Sequence, residues 1–86
     1  MIRTPVDLTR HLPIERKTAA LIANAASRYP CTLTLERDNI VLNLKSMIGL
    51  LSQSIPRDGR MEIVADGPQE DAASRAMVEL LEQLRK

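Results

Sequence analysis

The sequence predicts an α+β fold, an open-faced sandwich with helices on one side of an antiparallel sheet. Three observations predict it. Four short stretches alternate apolar and polar residues at the period of a half-buried strand, and three others carry apolar residues at helical spacing. The two kinds follow one another as strand, helix, strand, strand, short helix, strand, helix, an order that layers helices on a sheet. The 86 residues are expected to form one small domain over 1–86, burying little more than about 60% of the unfolded surface. There is no Phe or Trp and only Tyr29, so Leu, Ile, Val, Ala and Met must fill the interior. That scarcity argues against the aromatic platforms of single-stranded nucleic-acid binders.

The first strand is expected over Met1 to Leu8, with Ile2, Val6 and Leu8 on one face. Pro5 removes a ladder donor, which assigns this strand to a sheet edge. Thr9 to Ile14 connects it to the first helix and holds the sole histidine, His11, and Pro13. His11 has no Cys, His or carboxylate at metal-ligand spacing beside it.

Lys17 to Arg28 carries Ala19, Ile22, Ala23 and Ala26 at i, i+3, i+4 and i+7, the apolar stripe of a helix that Tyr29-Pro30 ends. Glu15 at its start suits the helix dipole by about 0.3 to 1 kcal/mol, whereas Arg16 and Lys17 oppose it. Cys31, Leu33 and Leu35 alternate with Thr32, Thr34 and Glu36 in the second strand, where Cys31 reads as a small interior residue. Arg37-Asp38-Asn39 supplies the hairpin turn, since Asp and Asn tolerate positive φ. Ile40, Leu42 and Leu44 then alternate with Val41, Asn43 and Lys45 in the third strand.

Ser46 marks the change from strand to helix, because Met47, Ile48, Leu50 and Leu51 fit an amphipathic helix of about two turns. A serine there is an N-cap, its hydroxyl accepting a bond from an orphan amide of the first turn. The same place suits an added phosphate, which would meet free amides and the positive end of the dipole. Both readings stand on these residues.

Ser54 to Gly59 forms a loop, and Met61, Ile63 and Ala65 alternate with Glu62, Val64 and Asp66 in the fourth strand. Gly67-Pro68 breaks the strand and opens the last helix, whose apolar face is assigned to Ala73, Ala76, Met77, Leu80 and Leu84. Glu70 and Asp71 at its start and Arg85 and Lys86 at its end match the dipole. Asp66 and Glu70 have no third group to make them a catalytic pair.

Twelve basic and eleven acidic residues, with no long run of either sign, argue against nucleic acid as a partner. The single cysteine allows no internal disulfide, and no apolar run suits a signal peptide or membrane span, so a reducing cytoplasm is expected. No nucleophile and base pair, metal cluster or phosphate-cradling glycine loop occurs. Neither enzymatic activity nor a cofactor is expected.

Lys45-Ser-Met-Ile-Gly-Leu-Leu-Ser52 resembles the regulatory serine segment of the HPr family, the small phosphocarrier proteins of the bacterial sugar phosphotransferase system. Thr18-Ala-Ala-Leu21, Thr34-Leu-Glu36 and Ile63-Val-Ala-Asp-Gly67 also fall where that family has similar residues, with no gap between Glu15 and Ser46. The resemblance covers nearly the whole chain. It implies the HPr-like open-faced sandwich, a four-stranded antiparallel sheet with three helices on one face and the first strand at an edge.

The family's active-site pattern, Gly-Leu/Ile-His-x-Arg-Pro-Ala, meets Pro13-Ile-Glu-Arg-Lys-Thr-Ala19 here, so Glu15 stands at the phosphohistidine position. A carboxylate has no imidazole nitrogen to act as nucleophile and then leaving group, and phosphoenolpyruvate-dependent carrier activity is expected to be absent. Glu15 reads either as a dipole partner or as a fixed charge imitating phosphohistidine. Lys17 falls where the family has a phosphate-contacting arginine, although lysine lacks the bidentate fork.

The chain is most similar to the catabolite-repression HPr-like paralogues that keep the serine and lose the histidine. The resemblance implies phosphorylation of Ser46 by HPr kinase/phosphorylase and binding of the phosphoprotein to a LacI-type catabolite control regulator. Glu15, Lys17, Lys45, Met47, Ile48 and Leu51 are the expected partner-binding residues, and no membrane or direct nucleic-acid contact is implied. Glu15 would face the same partners as the serine helix, where its charge would repel acidic surfaces or compete for cations. The alternatives are a binding module that works without phosphorylation and a phosphocarrier using His11 through a shifted loop.

Overall fold

The computed structural model describes residues 1–8, 14–52 and 58–84. Four strands, β1 (Ile2–Asp7), β2 (Thr32–Arg37), β3 (Ile40–Asn43) and β4 (Arg60–Asp66), form an antiparallel sheet in the order β1-β4-β2-β3. Three helices, α1 (Arg16–Ala26), α2 (Met47–Ser52) and α3 (Glu70–Gln83), cover one of its faces. The architecture is the expected α+β sandwich, and the four strands, α1 and α2 lie within two residues of their expected bounds.

Edge placement of β1 follows from Pro5. The Leu8 amide donates to the Gly59 carbonyl at 2.7 Å, and antiparallel bonding alternates every second residue. The ring nitrogen of Pro5, paired opposite Glu62, therefore falls on the outer side of the ladder, where no donor is required.

The strands' inner faces meet the helices in one core. Leu33 and Leu35 of β2, Ile63 and Ala65 of β4, and Leu42 beside them are fully buried. They pack with the α1 stripe, in which Ala19, Ile22, Ala23 and Ala26 are all buried as the spacing predicts. Small residues at three of these four positions bring α1 close to the sheet. Cys31 is buried at the start of this layer. Gly67 passes over it with φ +125, and a Cβ at residue 67 would lie 3.3 Å from the Cys31 Cα, so both conformation and space favour glycine.

Asp38 adopts φ 51 in the β2–β3 turn, the left-handed conformation that Asp tolerates. Arg37 anchors this turn by bonding the Asp58 carboxylate and reaching the Arg60 carbonyl at 3.4 Å. The Arg37 guanidinium, with the Arg60 amide, holds the Asp58 carboxyl below its ordinary range. His11 and Pro13, most of the loop expected over Ser54 to Gly59, and Arg85 and Lys86 lie outside the described residues.

Three expectations are corrected. Pro68 does not start α3: the helix begins at Glu70 after Gln69, whose φ is 64. The fully buried residues of α3 are Ala73, Ser74, Met77 and Leu81, whereas Ala76, Leu80 and Leu84 are half-buried. Ala73 and Met77 belong to both sets, and the stripe is rotated by only about 60° of helix, so that Leu81 is more deeply buried than Leu80. Val64 is buried although it belongs to the sheet face away from the helices. It lies on central β4, with strands on both sides, in register between Arg3 and Thr34.

Asp66 and Glu70 do share a third group, the Met1 ammonium, at 3.9 and 2.8 Å. Glu70 also accepts from the Gly67 amide at 3.1 Å. The Met1 bond first and the Gly67 bond second keep its carboxyl below the ordinary range. This is a tie between β1 and the start of α3, with no reacting group in it.

Candidate functional site

Asn43 closes β3 and builds the turn that presents Ser46. Its side-chain oxygen accepts from the Lys45 amide at 2.9 Å and its carbonyl from the Ser46 amide at 3.0 Å, a local bonding pattern typical of Asn outside regular structure. Ser46 then caps α2: its Oγ accepts from the Gly49 amide at 3.1 Å, and its carbonyl accepts from Leu50 at 3.1 Å. A cap of this kind is worth about 1 kcal/mol. A Cβ at residue 49 would lie in contact with Ser46, 3.4 Å from its Oγ.

α2 has six residues and buries Leu50. Because helices so short are not stable by themselves, the cap and Leu50 hold it in place. Its other apolar residues are left outside: Ile48 is 76% exposed, Leu51 39% and Met47 36%. Three apolar side chains on the outer side of one short helix form a patch of the kind used for docking.

α1 packs beside α2 and adds to that surface. Lys17 and Arg16 are exposed in its first turn, and Leu21 is 43% exposed. Leu21 is an apolar surface residue that sequence reasoning missed. It sits between two stripe positions, and only its four-residue spacing from Lys17 would have placed it on the outer face.

Glu15 occupies the N-cap of α1 in extended conformation, φ −88 and ψ 161, and its side chain makes no capping bond. The exposed carboxylate is left to act through the helix dipole and its own field. Lys45, near the other end of α1, donates from Nζ to the Tyr29 carbonyl at 2.7 Å. Its ammonium is thus partly buried and engaged within the protein.

The structure brings Lys45, Ser46, Met47, Ile48 and Leu51 together on one turn and helix, with Lys17 and Leu21 on the neighbouring helix. Glu15 is the exposed N-cap residue of α1, two positions before Lys17. Among the described residues no group of His, Cys, Asp and Glu converges as a metal site, and no helix is long and apolar enough to cross a membrane.

Comparison with known proteins agrees with this geometry. The family model described as the PTS HPr component phosphorylation site matches residues 3–83. The chain is 33% identical over 82 residues to phosphocarrier protein HPr of Treponema pallidum, spanning 95% of this chain and 93% of that protein. It is 25% identical over 83 residues to the HPr-like protein Crh of Halalkalibacterium halodurans, spanning 96% and 99%. The crystal structure of HPr-C-His from Thermoanaerobacter tengcongensis superposes with a TM-score of 0.84 at 26% identity, covering 96% of this chain and 93% of that one.

Proposed function

The chain belongs to the HPr family, and we propose that within it the protein is a regulator whose switch is Ser46 rather than a histidine. HPr kinase/phosphorylase transfers a phosphoryl group to Ser46 Oγ, and the phosphoprotein binds a LacI-type catabolite control regulator in the cytoplasm. The protein is thereby a ligand whose surface is switched, not an enzyme.

The observation that carries this reading is the half-buried serine cap of α2 beside an exposed apolar patch. Ser46 presents its hydroxyl at 3.1 Å from the Gly49 amide, next to Met47, Ile48 and Leu51, which α2 leaves exposed. Phosphate adds about −1.5 to −2 charges at pH 7 and three acceptor oxygens, one of which can keep the Gly49 bond. An anionic feature then borders an apolar patch, which suits a partner offering cations around an apolar hollow. Glu15 at the family's phosphohistidine position supports the loss of carrier activity.

A phosphocarrier role is the second reading, favoured by the name of the Treponema relative and requiring His11 as acceptor. A binding module independent of phosphorylation is the third, and inertness to the kinase with retained partner binding would favour it.

Titration with the regulator tests the docking surface. Phosphorylated protein is expected to bind at least about tenfold more tightly than the unmodified form. Ile48→Asp in the phosphorylated protein should weaken binding by about tenfold or more while leaving the denaturant midpoint nearly unchanged, since residue 48 is surface. Equal affinity of the two forms, or indifference to Ile48→Asp, would remove this surface from the account.

A further inference from the structure

We infer that Lys45 is a positioning residue, an ammonium clamp that joins the C-terminal end of α1 to the serine turn and so holds two helices as one docking surface. The inference rests on the proposed use of that surface, and it gives Lys45 a role inside the protein instead of against the partner.

The C-terminal end of α1 lacks its own cation, for no basic residue lies in its last turn. Backbone carbonyls there carry the negative end of the helix dipole. Lys45 supplies the charge from another element, donating to the Tyr29 carbonyl at 2.7 Å, three residues beyond the last residue of α1. A partly buried ammonium must be compensated, and this bond compensates it. The chain on either side of the contact is fixed. On the α1 side, the Ser27, Arg28 and Tyr29 amides donate to the carbonyls of Ala23, Ala25 and Ala26. On the other side, Asn43 accepts from the amides of Lys45 and Ser46, and Ser46 accepts from Gly49. Lys45 is the residue between these two bonded groups, immediately before Ser46.

The need for such a clamp follows from the size of α2. Six residues with Leu50 buried cannot set their own position, yet Met47, Ile48 and Leu51 must keep a constant relation to Leu21 and Lys17 on α1 if one partner is to contact both. Side-chain charge at residue 45 thereby acts on recognition through helix placement.

The test compares wild type with Lys45→Met, which keeps the apolar stem, and Lys45→Arg, which keeps a cation. In Lys45→Met, amide hydrogen exchange of Arg28 and Tyr29 and of Gly49 and Leu50 should accelerate together, by at least about fivefold, with β2 and β4 amides unchanged. Lys45→Arg should restore slow exchange in both groups. On the kinase, Lys45→Met should raise KM by a similar factor with kcat within about twofold, and Lys45→Arg should recover it. Acceleration in one group only, no acceleration, or acceleration through the whole sheet would overturn the clamp. The exchange measurement involves no kinase, so it decides the clamp even if wild type is not a substrate and the switch reading fails.

Discussion

Offered phosphoenolpyruvate and the phosphotransferase enzymes that charge an ordinary HPr, the protein is expected to take up no phosphate. An imidazole attacks a phosphoryl group through a nitrogen lone pair and releases it again as a good leaving group, whereas Glu15 brings only carboxylate oxygens. Its surroundings add little, because the side chain makes no capping bond and Lys17 in place of arginine cannot form a bidentate grip on phosphate. The check is intact mass after incubation, with an ordinary HPr as the control. Uptake of an acid-labile phosphate that disappears in His11→Ala would establish the carrier reading instead.

Leu33→Ala is expected to be the most damaging single change to the fold, costing about 2 to 5 kcal/mol. Leu33 is fully buried on β2, which has partners on both sides, β4 and β3. Its carbonyl accepts the Leu44 amide at 3.0 Å, so the strand cannot collapse toward the helices to fill the space. A domain of this size has a total stability of about 4 to 13 kcal/mol, and Tm should fall by at least about 10 °C. A fall under about 3 °C would mean that the core beneath α1 tolerates a void.

The elements were legible because their signals are local. Ala19, Ile22, Ala23 and Ala26 state one face of α1 by spacing, and all four are buried. Leu33 and Leu35 do the same for β2. Ser46 was legible as a cap because its acceptor and the Gly49 donor lie three residues apart. The errors arose where neighbours distant in sequence decide. Leu80 and Leu81 are adjacent and equally apolar, so periodicity cannot choose between them; packing of α3 against β1 and β4 does. Val64 occupies a polar-face position, and its place between two flanking strands, opposite Arg3 and Thr34, is set by the sheet order and not by local alternation.

At the site the same division holds. The residues of 45 to 51 were found as one local motif, but the bond from Lys45 to Tyr29 spans sixteen residues and no spacing rule announces it. Leu21 was missed because an apolar residue beside a buried stripe is usually counted with the stripe.

The central claim is that Ser46 is the switch. The measurement that tests it most directly is intact mass after incubation with ATP and an HPr kinase/phosphorylase, comparing wild type with Ser46→Ala. The account predicts a shift of one phosphate in wild type and none in Ser46→Ala. No shift in wild type, with the same kinase active on an ordinary HPr, would contradict it and leave a docking surface that works without phosphorylation.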